Sequence, residues 1–166
     1  MDATQMAAPA ALVRDIGLLL YGGPIVAFAL ILGLAPRLSS LAPSAAVRTY
    51  RAWGPGLGLS LGATVFGALV HRWFTLGEFS WGWSTTAEQV DLAGWLCFLL
   101  MWASNIRLEI WTLEPLRKLD QDGVITDEGG YAAGARGLAR HLAAQSALVL
   151  SVLVLWRLTE LGILGR

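Results

Sequence analysis

The chain has 166 residues, of which 55% are hydrophobic and 14% are charged, and its mean hydropathy is +0.58. Soluble domains carry about 25% charged residues, so the shortfall indicates a chain that is largely embedded in lipid. Twelve basic and 12 acidic residues give a net charge of zero. This balance excludes the global positive field that recruits nucleic acid.

Four apolar segments, each close to the length that crosses a bilayer, fill most of the chain. A helix rises about 1.5 Å per residue, so about 20 apolar residues span a hydrocarbon core roughly 30 Å thick. Inside lipid every backbone polar group must be satisfied within its own segment, which requires helices. We therefore predict an all-α integral membrane bundle of four antiparallel transmembrane helices, forming one domain over residues 1–166. The predicted spans are 16–36, 53–73, 92–111 and 141–161.

The first span follows an N-terminal stretch without a basic segment, and no small-residue cleavage site follows it. We predict that this span is retained rather than removed as a signal peptide. Within it, Gly22-Gly23-Pro24 should loosen the helix locally, because proline lacks a backbone N–H. Such a break is compatible with a packing kink and with the lining of a transport site.

The second span carries a row of glycines at every fourth position, Gly54, Gly58 and Gly62. Small residues at this spacing let helix backbones approach closely in lipid, so we predict that this face packs against another helix. If the first two spans have level ends, Gly22 meets Gly67, and Gly33 meets Gly56.

The third and fourth spans hold a group of polar residues that could carry chemistry: Asn105 and Glu109 on one, His141 and Gln145 on the other. In an antiparallel hairpin with level ends, Asn105 faces Gln145 and Glu109 faces His141. Polar groups at this depth are costly unless they pair, and ionisable ones indicate function. Two interpretations stay open: hydrogen bonds that fix the register of the helices, or a ligand or proton site.

Metal and cofactor sites are not predicted. His71 ends the second span and His141 begins the fourth, so parallel spans place the two rings about a membrane thickness apart. They therefore cannot be the axial ligands of one haem. A single cysteine, Cys97, gives no metal cluster of the usual His/Cys type. We interpret the chain as leaning towards a non-enzymatic protein.

Basic residues set the predicted orientation. The segments 37–52 and 112–140, with their flanks, carry most of the Lys and Arg residues. The positive-inside rule then makes these two loops cytoplasmic and places both termini outside, in the cell (inner) membrane. Eight residues are counted on the cytoplasmic side, Arg37, Arg48, Arg51, Arg107, Arg117, Lys118, Arg136 and Arg140, against four on the outer side, Arg14, Arg72, Arg157 and Arg166.

Several short motifs between Gly22 and Leu155 resemble a known family. They are the Gly22-Gly23 pair, Ala35-Pro36 at the end of the first span, Leu41-Ala42-Pro43, Leu113-Glu114-Pro115, and a His followed by Ser in the fourth span. Together they are similar to the transmembrane protein 205-like family of small four-helix membrane proteins of unknown function. This chain departs from the pattern at Ala42 and Gln145. The resemblance implies the four-helix fold and a link to stress or metal-drug resistance.

Three classes of function are compatible with these observations. The first is a non-enzymatic polytopic membrane protein, with stress resistance, metal-drug resistance or transport as the roles that the resemblance implies. The second is a haem, porphyrin or copper-related membrane redox protein. The third is an accessory subunit of a larger membrane complex. The predicted partners are the lipid bilayer and, through the glycine face or the Trp-rich 75–91 connection, a second copy or a membrane-complex partner; nucleic acid is not among them.

The orientation is tested by cysteine labelling in a Cys97→Ala background. A membrane-impermeant maleimide should label Ser84→Cys in intact cells, because this position lies in a predicted outer connection. Thr126→Cys should be labelled only after the membrane is opened, because it lies in a predicted cytoplasmic loop. Labelling in the reverse order would invert the orientation and leave the four spans as they are.

Overall fold

The structure, a computed structural model, describes residues 3–34, 43–76, 83–121 and 124–161. It is an all-α bundle of four long helices, the third of which contains a π-helical turn, with a two-residue β-hairpin before the fourth. The elements are α1 (Ala3–Leu34), α2 (Pro43–Leu76), α3 (Thr86–Leu108), the π-helical turn (Glu109–Leu113), α4 (Glu114–Leu119), β1 (Asp120–Gln121), β2 (Val124–Ile125) and α5 (Glu128–Glu160).

All four long helices are long and apolar enough to cross a membrane, which confirms the predicted fold. They extend well beyond the predicted spans. Residues 43–52, 112–119 and 128–140 were expected in loops, and they are helical instead. Hydropathy marks the apolar part of a helix, and it does not detect the polar turns by which the helix continues past that part. Pro36 and residues 37–42 lie outside the described residues.

The π-helical turn joins α3 to α4. The backbone N–H of Glu114 donates to the carbonyl of Glu109, five residues earlier. Pro115 follows directly; its ring would clash with the carbonyl four residues before it in a regular α-helix, and it has no N–H to donate. A wider turn relieves that clash. It also keeps Leu108 and Leu113, five positions apart, on the buried side.

The chain divides into two compact units, and each long helix contributes to both. Unit 1 contains residues 1–22, 55–98 and 149–166; unit 2 contains residues 23–54 and 99–148. In α1 and α2 the division falls at Gly22-Gly23-Pro24 and at Gly54-Pro55, and α1 remains helical through its Gly-Gly-Pro. The described cores of the units are largely aliphatic and aromatic: Leu18, Tyr21, Leu61, Phe98, Val152 and Trp156 in unit 1, and Ile25, Val47, Met101, Leu116, Leu138 and Leu142 in unit 2.

Unit 2 includes the hairpin, in which Asp120 pairs with Ile125. The Asp120 carboxylate accepts two hydrogen bonds from the Arg48 guanidinium of α2, at 2.7 and 3.0 Å. Such a two-point contact is the geometry that arginine and a carboxylate favour. It fastens the hairpin to α2. Also in unit 2, Phe28 of α1 and Tyr50 of α2 pack edge to face, with ring centroids 5.3 Å apart.

In unit 1 two glycines allow α1 and α2 to approach closely. A Cβ atom on Gly17 would lie 2.7 Å from the Thr64 backbone nitrogen, and one on Gly67 would overlap the Arg14 backbone nitrogen. Neither position has room for a side chain. The two backbones therefore touch at these points, as small residues permit in membrane helices.

The predicted glycine contacts between α1 and α2 were wrong in register. Gly67 meets Arg14 rather than Gly22, a shift of about two helical turns. Gly22 instead faces Val149 of α5, and a Cβ atom on Gly33 or Gly56 would meet none of the described residues within 4 Å. The prediction assumed that Pro36 and Trp53 lie level, whereas α2 begins at Pro43, well before its predicted span.

The glycine row of α2 does not pack within the chain either. A Cβ atom on Gly54, Gly58 or Gly62 would meet nothing within 4 Å of the described chain, and all three residues are exposed. The buried face of α2 is a different one, formed by Leu57, Leu61, Thr64 and Ala68. The row lies about 100° around the helix from that face, which is the rotation per residue of an α-helix. The expectation that it contacts another helix of the same bundle was wrong.

Matched alanine substitutions separate these two kinds of glycine. Gly67→Ala should destabilise the protein by about 1–3 kcal/mol, because its Cβ atom pushes α1 away from α2. Gly58→Ala should be neutral or stabilising by up to about 1 kcal/mol, because alanine favours a helix and the site is open. Thermal unfolding in detergent measures both. Equal melting temperatures for the two variants would contradict the close contact at Gly67.

Candidate functional site

Two groups of polar residues lie within the helices, one in each unit. The first, which we call the amide cluster, consists of Ser104, Asn105, His141 and Gln145 in unit 2. Gln145 is fully buried, and its amide nitrogen donates to the Asn105 side-chain oxygen at 3.0 Å. The Ser104 hydroxyl lies 2.8 Å from Nε2 of His141. These bonds join α3 to α5.

The hydrogen bonds of His141 are compatible with a neutral ring. Its Nε2 lies 2.8 Å from the Ser104 hydroxyl and 3.4 Å from the Gln145 amide nitrogen, which can only donate. When the ring is neutral with its proton on Nδ1, Nε2 accepts from the hydroxyl, and the cluster is a set of neutral groups that satisfy one another.

Of the predicted pairs in this region, the contact of Asn105 with Gln145 is confirmed. The contact of Glu109 with His141 was wrong: Ser104 bonds to the ring, and Glu109 is exposed. Aligning the ends of two helices predicts the depth of a residue in the membrane, but it does not predict the side of the helix on which the residue lies. Glu109 begins the π-helical turn, at an exposed position. Whether the remaining cluster binds a ligand or a proton stays a prediction.

The second group, which we call the charged cluster, lies in unit 1 and was not predicted. It collects ionisable side chains from α1, α2, α3 and α5. Its members are Arg14, Asp15, His71, Arg72, Asp91, Arg157 and Glu160.

Glu160, the last residue of α5, contacts three other members of the charged cluster. Its carboxylate lies 2.6 Å from Nη1 of Arg14 and 2.9 Å from Nη1 of Arg157. It also lies 3.6 Å from Nε2 of His71. One carboxylate thus links α5 to α1 and α2.

The other acids complete the charge balance. Asp15 accepts from its neighbour Arg14 at 2.7 Å and pairs with Arg157, while Asp91 of α3 pairs with Arg72 of α2. Arg14, although charged, is only 4% exposed. Three guanidinium groups and three carboxylates therefore compensate one another, which is the condition under which charges persist in apolar surroundings.

His71 has a defined orientation. Its Nδ1 lies 3.0 Å from the Ala7 carbonyl oxygen, so Nδ1–H donates to α1. Nε2, on the other side of the ring, then faces the Glu160 carboxylate at 3.6 Å. The ring thus connects α1 to the charged cluster in a fixed orientation.

A cavity of about 390 Å³ adjoins the charged cluster. Its volume is at the lower end of the range of small-molecule sites, roughly 300–1,000 Å³. Two indole rings, Trp95 and Trp156, are edge to face in its wall with centroids 5.4 Å apart. The Arg14 guanidinium carbon lies 5.2 Å from the Trp156 ring centroid, a cation–π contact. The charged lining residues are Arg14, His71, Arg72, Glu88, Asp91 and Glu160.

Glu88 has a local structural task as well as a place in the cavity wall. It accepts hydrogen bonds through Oε2 from the backbone N–H groups of Ser84 and Thr85, at 2.7 and 2.9 Å. In return its own N–H donates to the Thr85 hydroxyl at 3.2 Å. This is a capping box, which defines the start of α3. It also holds the Glu88 carboxylate at the rim of the cavity.

Within the described ranges, no group of three or more His, Cys, Asp or Glu side chains is arranged to hold a metal ion. Comparison of the chain with protein-family models, curated proteins and solved structures finds no match. The two clusters and the cavity are the features of the described chain that bear on its function.

A signal for the charged cluster is present in the sequence. Arg14-Asp15 lies beside the first apolar segment, His71-Arg72 closes the second, and Arg157 and Glu160 are one turn apart at the end of the fourth. Each is close to a predicted span end, where charged residues normally meet water, and the three arginines were predicted only to lie on the outer side. Together with Asp91, beside the third segment, they place opposite charges at matching ends of all four spans, which indicates pairing.

The ion pair of Arg72 and Asp91 is tested by a double-mutant cycle. Asp91→Leu alone leaves the Arg72 guanidinium without its carboxylate and should destabilise the protein by up to about 3–5 kcal/mol, with partial exposure of Asp91 reducing the cost. Arg72→Leu combined with Asp91→Leu should recover most of that loss. Melting temperatures in detergent measure both, with exposed Glu109→Gln as the neutral control. A double variant as unstable as Asp91→Leu would contradict the pairing argument.

Proposed function

We propose that this is a non-enzymatic four-span membrane protein that binds a small solute in the cavity beside the charged cluster. The observation that carries the proposal is the convergence of seven ionisable side chains from four apolar helices beside a cavity of about 390 Å³. Among the roles implied by the family resemblance, which are transport and resistance to stress and metal drugs, transport requires such a site.

The cost of the charges supports a functional use. Replacing buried ion pairs with apolar residues of similar volume is often neutral or stabilising, so stability alone does not account for them. Ionisable residues inside membrane helices are, by contrast, typical of substrate and ion pathways. The amide cluster differs because its members hydrogen bond to one another and are neutral. Its arrangement supports the role of fixing the register of α3 against α5.

The proposed location is the cell (inner) membrane, with both termini and the cavity on the outer side. The cavity is lined by Thr75 near the end of α2, by Ala87 and Glu88 at the start of α3, and by Thr159 near the end of α5. In the predicted orientation all of these positions belong to the outer side. A solute would then enter from outside or from the outer leaflet.

A second role, as a subunit of a homo-oligomer or of a larger membrane complex, is favoured by one observation. Gly54, Gly58 and Gly62 form a row at small-residue spacing on the exposed face of α2. Such rows are typical of helix–helix contacts in membranes. This role is compatible with solute binding in unit 1.

Filling the cavity tests the proposed site. Ala87→Phe adds an aromatic ring to the cavity wall, so it should abolish saturable binding of small organic solutes to the purified protein. Isothermal titration with a panel of cationic, anionic and neutral aromatic solutes measures this. Ala103→Phe, the same substitution at an exposed position of α3, is the control and should bind as the unmodified protein does. Unchanged binding by Ala87→Phe would place the solute elsewhere, and no saturable binding of any solute would overturn the proposal.

A further inference from the structure

We propose that the solute is a small organic cation, an ammonium group carried on an apolar or aromatic body, and that Glu88 is its charged anchor. This inference rests on the proposed binding function and specifies its ligand. It follows from the charges left over in the cavity wall, from the two indole rings and from the size of the cavity.

The charged residues that line the cavity are not all paired with one another. Arg14 is paired with Asp15 and Glu160, and Arg72 is paired with Asp91. Glu88 makes no ion pair with any residue in the described part of the chain. Its hydrogen bonds to the backbone N–H groups use Oε2 only, so Oε1 is available as an acceptor. The three carboxylates in the wall of the cavity, Glu88, Asp91 and Glu160, therefore outnumber its two guanidinium groups by one.

The contacts of the lining residues also favour one sign for the charge of the ligand. An anion would need one of the two guanidinium groups, and each already holds a carboxylate in a contact that the anion would have to displace. A cation needs no such exchange, because the Glu88 carboxylate can accept from it directly. Bringing a cation to the Glu88 carboxylate also balances the excess of negative charge at the rim of the cavity.

The aromatic lining of the cavity suits a ligand whose ammonium group is attached to an aromatic ring. Trp95 and Trp156 line the cavity, and the face of Trp156 already receives the Arg14 guanidinium at 5.2 Å. Indole is the side chain best suited to attract a cation over its ring. Glu88 and Asp91 precede Trp95 by seven and four positions on α3, so all three lie on one side of that helix. A carboxylate and an aromatic wall on the same face suit an ammonium group attached to a ring.

The experiment uses the full-length protein in detergent and three probes of similar size: benzyltrimethylammonium, benzyl alcohol and benzoate. Isothermal titration should give saturable binding of the cation, with the neutral and anionic probes at least about tenfold weaker. Glu88→Gln keeps an oxygen for the capping box and removes the charge. It should weaken the cation at least about tenfold and leave benzyl alcohol unchanged.

Two further variants keep the test decisive. Glu128→Gln removes an exposed acid from the first turn of another helix and should leave cation binding unchanged. Trp95→Phe retains an aromatic ring with a weaker attraction for cations and should reduce affinity several-fold, so it reports on the site even if Glu88→Gln fails to fold.

The outcomes distinguish the two proposals. Binding of benzoate or benzyl alcohol as tight as that of the cation, and abolished by Ala87→Phe, would overturn the cation assignment and retain the solute site. Unchanged cation affinity in folded Glu88→Gln, or in Trp95→Phe, would also overturn the assignment. No saturable binding of any probe would overturn both the assignment and the binding function.

Discussion

Unit 1 depends on the compensation of charge around Glu160. In an apolar bundle an arginine as buried as Arg14 is tolerated only where a carboxylate meets it, and Glu160 provides that carboxylate at 2.6 Å. The same carboxylate also receives Arg157 and faces His71. Because these residues come from α1, α2 and α5, the loss of one charge would leave others uncompensated on different helices. The position of the helices in this unit is therefore coupled to the charge state of the residues that line its cavity.

The two polar clusters solve the problem of polarity in lipid in different ways. The amide cluster uses neutral groups whose donors and acceptors match, and its central Gln145 is fully buried. Its hydrogen bonds have no dependence on a bound solute. The charged cluster keeps ionised groups next to open volume, so its energy changes when something enters that volume. The first arrangement suits the alignment of helices and the second suits recognition.

The sequence predicts the four helices well, because lipid leaves a long apolar segment no other structure. It predicts the contact of Asn105 with Gln145, because polar residues at matching depth must pair. It does not predict which side of a helix meets a neighbouring helix. The row of Gly54, Gly58 and Gly62 was predicted to pack against another helix, and Glu109 was predicted to contact His141. Rotation about a helix axis depends on which residues the neighbouring helix presents, such as Arg14 against Gly67, and a single sequence contains no direct record of that. The charged cluster was missed for a related reason, since its arginines were counted as solvated ends.

The π-helical turn at Glu109–Leu113 has a consequence for sequence change in this protein. It accommodates one residue more than an α-helix needs over the same rise, so the helix on either side keeps its buried face. Removing one residue from this turn, together with Pro115→Ala to avoid the clash of the proline ring in a regular α-helix, would leave α3 and α4 presenting the same faces as before. A deletion elsewhere in α3 would rotate every later residue by about 100°. The turn is thus the position where this membrane helix can change length during evolution without being repacked.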